Sequence, residues 1–200
     1  MYEQAVGRNP RTTGTRRQLA NALLRSGQAD QARAVLDSLI EMRPDDEAGL
    51  YLLSQVELEL GNLGGAEQVA RRLIDVEPEG VRGMFALVEV FARRRQHQEV
   101  IDMLEPTLQG PRLQDLRPNE LANVLGRVGF AYEQLQDAKA ASRVYEQAVE
   151  MMPDSLVFAV RLVQAYLDEG RLIEARDALG PLEKTHADSL TITRLRARVL

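Results

Sequence analysis

Cysteine is absent from the 200 residues, which excludes disulfides, thiolate metal sites and a cysteine nucleophile. Tryptophan is also missing and aromatic residues are few, while the helix formers alanine, leucine, glutamate, glutamine and arginine dominate. No stretch approaches the roughly 18 uninterrupted apolar residues that a membrane helix needs, so no membrane insertion by this segment is expected. The first residues carry neither the basic nor the apolar region of a signal peptide. An excess of positive charge is lacking as well. A net charge of −5 opposes binding to phosphate backbones, which needs a positive field to displace counterions, and nucleic acid is not expected as a partner. Alternating β-branched runs and Asn-Gly or Asp-Gly hairpin signals are missing, and the chain reads as all-α. A chain without cysteine suits either redox environment, which leaves both the cytoplasm and a bacterial periplasm open. Lysine occurs only at Lys139 and Lys184, a compositional hint of a GC-rich bacterial genome.

What is present is repetition. The word YEQAV occurs at Tyr2–Val6 and again at Tyr145–Val149, followed by Pro10 and Pro153. Pro10, Pro44 and Pro78 are each 34 residues apart, a period that marks stacked supersecondary units. Two amphipathic helical patterns fill each period. RRQLANALLRSG is followed by ADQARAVLDSLIEMRP, and YLLSQVELELG by GGAEQVARRLIDVEP. Gly27 or Gly61 marks the turn within a pair, and a proline ends the second helix.

These residues resemble the tetratricopeptide repeat family over nearly the whole chain. With the terminal proline counted as position 32 of 34, the repeats begin at Thr13, Glu47, Val81, Ala122 and Leu156. The fourth matches best, with Leu125, Val128, Gly129, Tyr132, Ala141, Tyr145, Ala148 and Pro153 at the family's signature positions. Position 20, where the second helix (B) passes closest to the first (A), carries Ala32, Ala66, Ala141 and Ala175, with Val100 the exception. Glu57 departs from the usual aromatic or apolar position 11, Arg95 from the turn glycine, and Ala187 from the terminal proline. The resemblance implies a right-handed α-α superhelix, a solenoid of antiparallel helix pairs. Its expected divisions are a half repeat (helix B) at 1–12, repeats at 13–46, 47–80 and 81–110, an insertion at 111–121, repeats at 122–155 and 156–189, and a terminal helix A at 190–200. Tyr2, Ala5 and Pro10 would then close a repeat whose helix A is missing, so the chain is expected to be a piece of a longer array. Pro106 and Pro181 fall inside helices B and are expected to kink or shorten them.

Catalytic groupings are not found. His97 and His186 lie too far apart in a solenoid to share a site, and the histidine, aspartate and serine of HADS occupy adjacent turn positions that cannot form a relay. GNLGGAE lacks the Gly-Lys-Ser/Thr ending of a phosphate loop. His97 with Glu99 makes two ligands, too few for a defined metal site. The run Arg93–Arg95 reads as a solvated helix end. No enzyme activity, cofactor or metal is expected.

In tetratricopeptide repeats, helix A lines the concave side. Its groove positions here are Arg17, Asn21 and Leu24; Tyr51, Gln55 and Leu58; Arg82, Phe85 and Glu89; Asn123, Phe130 and Glu133; and Val157, Val160, Gln164 and Leu167. Arg127 and Arg161 reach the edge. Rings beside arginines and amides have the composition of a protein-binding surface. The expected partner is another protein or peptide segment with apolar anchors and some acidic character. Arg17, Asn21 and Arg82 are similar to part of a carboxylate clamp, but Leu52 and Ala86 stand where that clamp needs an amide and a base. Two further readings are self-association through the terminal half repeats, with Ile192, Leu195 and Val199 as an apolar stripe, or through the convex helix B faces, and a docking or regulatory arm of a larger protein.

Overall fold

A computed structural model describes residues 13–186 and 189–199; the expected half repeat with Tyr2, Ala5 and Pro10, and Ala187, lie outside them. The described residues form eleven α-helices and one 3₁₀ turn. The helices are α1 (Thr13–Arg25), α2 (Ala29–Met42), α3 (Glu47–Glu59), α4 (Leu63–Val76), α5 (Val81–Arg93), α6 (His97–Gln109), α7 (Pro118–Gln134), α8 (Ala138–Met151), α9 (Leu156–Glu169), α10 (Leu172–Thr185) and α11 (Leu190–Val199). Odd-numbered helices are of type A and even-numbered ones of type B. Helices α2, α4 and α6 begin 34 residues apart, and after a 41-residue step α8 and α10 resume the 34-residue period.

The chain divides into two compact units between Gln96 and His97. In the first, α1 to α5 pack in sequence around Leu36, Leu39, Leu50, Val56 and Leu73, all fully buried. The second is built on α6 to α11 with Leu104, Val124, Leu125, Val128, Tyr145, Val163 and Ile192 inside. The position-20 alanines Ala32, Ala66, Ala141 and Ala175 are buried without exception, as close helix packing requires.

Local signals fix the helix ends. The carboxylate of Asp46 accepts the Gly49 N–H at 2.7 Å, Asn62 accepts that of Gly65 at 3.1 Å and Asp137 that of Ala140 at 2.9 Å, satisfying donors that a helix start leaves open. All five A-to-B turns close in one way. The N–H of Gln28, Asn62, Gln96, Asp137 and Arg171 donates to the carbonyl of Leu23, Glu57, Phe91, Tyr132 and Tyr166 respectively. The residue before each of these donors is left-handed: Gly27, Gly61, Arg95, Gln136 and Gly170, with φ between 58° and 80°.

The prolines inside helices B do not shorten them. Helix α6 continues past Pro106 to Gln109 and α10 past Pro181 to Thr185; at 13 and 14 residues both are within one residue of the 14 in α2, α4 and α8. One missing N–H removes a single ladder bond, and packing of the buried Leu104 and Leu108, or Leu179 and Leu182, holds the helix across it. The expected insertion 111–121 folds as a 3₁₀ turn, Pro111–Asp115, followed by an early start of α7 at Pro118. There the backbone N–H of Arg117 donates to Glu120 at 2.9 Å, and proline at the first helical position costs no hydrogen bond.

Candidate functional site

Residues three or four apart share one side of a helix, and the expected groove residues recur at that spacing on each helix A. In the first unit they are Arg17 and Asn21 on α1, Tyr51 and Gln55 on α3, and Arg82, Phe85 and Glu89 on α5. In the second they are Asn123, Arg127 and Phe130 on α7, and Arg161 and Gln164 on α9.

Ion pairs join these helices one to the next. In the first unit Arg17 approaches Asp46 at 3.8 Å and Arg82 approaches Glu47 at 3.4 Å. In the second, Arg161 meets Glu133 at 2.9 Å, while Arg198 of α11 reaches Asp168 at 3.0 Å and also bonds Gln164. Arg127 donates to Asn123 at 2.7 Å, and Glu89 pairs with Arg93 at 3.4 Å. Exposed pairs of this kind are worth about 0–1 kcal/mol each. Of the clamp-like residues, Arg17 leans to Asp46 and Arg82 to Glu47, while Leu52 is half-buried and Ala86 is buried.

The rings differ in exposure. Phe130 is 45% exposed, with the His97 ring edge-on at a centroid distance of 6.3 Å. Phe85 is half-buried, and Tyr51 is half-buried against the core of the first unit. Leu58, expected in the groove, is instead buried with Val90, Ala66 and Leu63, because its side chain turns towards the neighbouring helices.

Behind this surface, tyrosines tie successive repeats. Tyr132 donates to Glu105 at 2.8 Å and Tyr166 to Glu146 at 2.9 Å; burial first, and then the carboxylate partner, push both phenols up to about 12. Tyr145 is fully buried and donates to Glu133 at 2.9 Å, and burial raises its phenol as well. Glu133 thus joins the core ring of Tyr145 to the surface guanidinium of Arg161. At Glu57 the tyrosine is replaced by a buried carboxylate that pairs with Arg33 at 2.9 Å and accepts from Asn62 at 2.6 Å.

Sequence reasoning missed two features. Gly49 and Gly83 sit where a side chain would strike the preceding helix B, at 2.8 Å from Leu39 and 2.7 Å from Ile74. The insertion's Leu116, Pro118 and Leu121 line an apolar hollow of about 510 Å³ with Met151, Met152 and Pro153; only the concentration of apolar residues around those prolines hinted at it. The Ile192 and Leu195 side chains of the terminal stripe are buried, and α11 packs on α9 and α10. Among the described residues no group of three or more histidine, aspartate or glutamate side chains could hold a metal ion, and no helix is long and apolar enough to cross a membrane.

Two family models, both described as tetratricopeptide repeat, match residues 17–75 and 133–199. The chain is 24% identical over 163 residues to cellulose synthase operon protein C of Pseudomonas fluorescens (strain SBW25), which covers 80% of this chain and 13% of that protein. Among solved structures it is similar to MamA of Desulfovibrio magneticus RS-1, with a TM-score of 0.71 and 15% identity over 89% of this chain and 97% of that one. It is also similar to YrrB, described as a TPR protein with an unusual peptide-binding site, with a TM-score of 0.69 and 14% identity over 98% and 97% of the two chains. At these identities the structural likeness is one of fold: a solenoid of paired helices.

Proposed function

The chain belongs to the tetratricopeptide repeat family, and from that premise we propose that it is a non-catalytic scaffold that holds a segment of another polypeptide against its helix A faces. The observation that carries this reading is Phe130, a large ring left 45% exposed within one or two turns of Asn123, Arg127 and Glu133 on the same helix. An exposed aromatic costs free energy in water and returns it when a partner covers it. Around it, arginines held in solvent-accessible ion pairs orient acidic groups of the partner by exchange, which favours recognition and rate over raw affinity. Phe85 plays the same part in the first unit.

A photo-crosslinking amino acid at position 85 or 130 tests this in the living cell, with Arg176, exposed on α10, as the control position. Adducts to a discrete segment of another polypeptide from 85 and 130, and none from 176, are expected. Equal labelling from all three positions would reject the helix A assignment.

A second reading, a docking arm within a larger protein, is favoured by the match to 13% of the length of the curated relative. It uses the same faces and differs only in what they bring together. Self-association through Ile192 and Leu195 is not favoured, since both side chains are buried within the chain's own second unit.

A further inference from the structure

Consecutive B helices leave a groove between them, and the residue at position 11 of the intervening helix A differs from groove to groove. Between α6 and α8 that residue is Tyr132, whose hydroxyl reaches Glu105; the remaining space, bordered by Glu105, Leu108, Ala140 and Val144, is about 150 Å³. Between α8 and α10 the same place is taken by Tyr166, bonded to Glu146. Between α2 and α4 it is Glu57, and the groove there opens to about 690 Å³, within the range of pockets that take ligands.

The register is conserved within the molecule even though the ring is gone. Asp37 occupies the repeat position of Glu105 and Glu146 and lines the open groove. Ile40, Leu53 and Val69 form its apolar wall, and Glu41 stands beside Asp37. The two basic groups at this groove are already engaged. Arg33 pairs with Glu57 at 2.9 Å and more loosely with Asp37 at 3.9 Å, an ion pair too long for a hydrogen bond, and Arg72 donates to the Pro44 carbonyl at 2.7 Å. Only loosely paired, the exposed Asp37 carboxylate keeps acceptor capacity beside the apolar wall of a groove whose other lining is polar, complementary to a flat ring carrying a donor at its tip.

We infer that the α2–α4 groove is a receptor for a tyrosine side chain of a bound polypeptide, the guest phenol taking the place that Tyr132 and Tyr166 fill in the second unit and donating to Asp37. The site lies on the helix B side and does not depend on the helix A reading.

p-Cresol, the tyrosine side chain alone, is the probe, with toluene and n-butylammonium as comparisons, in amide chemical-shift titrations of the whole chain. Saturable shifts concentrated in residues 33–41 and 65–72 are expected, with p-cresol binding at least about threefold tighter than toluene, as a hydrogen bond to a carboxylate implies. Asp37→Ala, at an exposed position, should reduce p-cresol to the level of toluene. Glu57→Tyr, which refills the groove, should abolish binding with helicity intact; Val69→Phe serves if that variant fails to fold. Several results would overturn the proposal: no saturable shift, toluene binding as well as p-cresol, tighter binding of n-butylammonium, or binding undiminished in a folded, refilled variant. Concentration-dependent shifts of the same amides without any probe would also overturn it, by assigning the groove to a second copy of the chain.

Discussion

Gly129 lies directly against the ring of Tyr145: a methyl group built on it would stand 2.5 Å from two ring carbons. The ring cannot readily retreat, because it is fully buried and its hydroxyl is bonded to Glu133. Close approach of α7 to α8 therefore depends on the missing side chain.

Gly129→Ala is expected to destabilise the protein by about 1–3 kcal/mol through overpacking. The sign is diagnostic, since alanine in a helix interior normally gains about 0.5–1 kcal/mol over glycine. Gly126, one turn earlier, provides the comparison: its added methyl would meet Phe158 at an ordinary 3.8 Å. Gly126→Ala should stabilise, and urea denaturation of both variants checks the pair.

Arg95→Gly should raise stability by about 0.5–1 kcal/mol. Arg95 is held at φ 58°, where a side chain costs about 1–2 kcal/mol, and glycine gives back part of that relief as unfolded-state entropy. Gly27→Ala, at φ 74°, should shift the denaturation midpoint the other way.

Alkaline pH should weaken the second unit. The phenols of Tyr132 and Tyr166 are pushed up to about 12 in the fold against about 10 when unfolded. Between those values the native chain binds more protons than the unfolded one, so stability falls as pH rises from about 10 to 12 and is fully present below about 10. Tyr132→Phe with Tyr166→Phe should reduce that slope, the remainder coming from the raised Tyr145 phenol, as measured by thermal unfolding across the range.

Much of this was legible in the sequence for physical reasons. The spacing of alanines and prolines reports the repeat because small side chains fit best where helix B crosses helix A, with the buried Val100 the one larger residue at that position. Gly27 and Gly61 announce their left-handed turns, whereas Arg95 and Gln136 adopt the same turn without a residue type that advertises it; the shared backbone bond across the turn imposes it. Exposure was less legible. Helical spacing places Tyr51, Phe85, Leu58 and Phe130 along helix A, but how far each is covered depends on neighbours distant in sequence, and Tyr51 and Leu58 turn inward. Glu57 stood out as a departure, yet the groove it opens depends on Asp37, Ile40 and Val69 meeting it from two other helices.

The most direct test of the scaffold account is the affinity, by titration calorimetry, of the polypeptide segment crosslinked at position 130 for the parent chain and for Phe130→Ala. The account predicts at least about tenfold weaker binding, roughly 1.4 kcal/mol, with helicity unchanged. Equal affinity of the two proteins for that segment would contradict it.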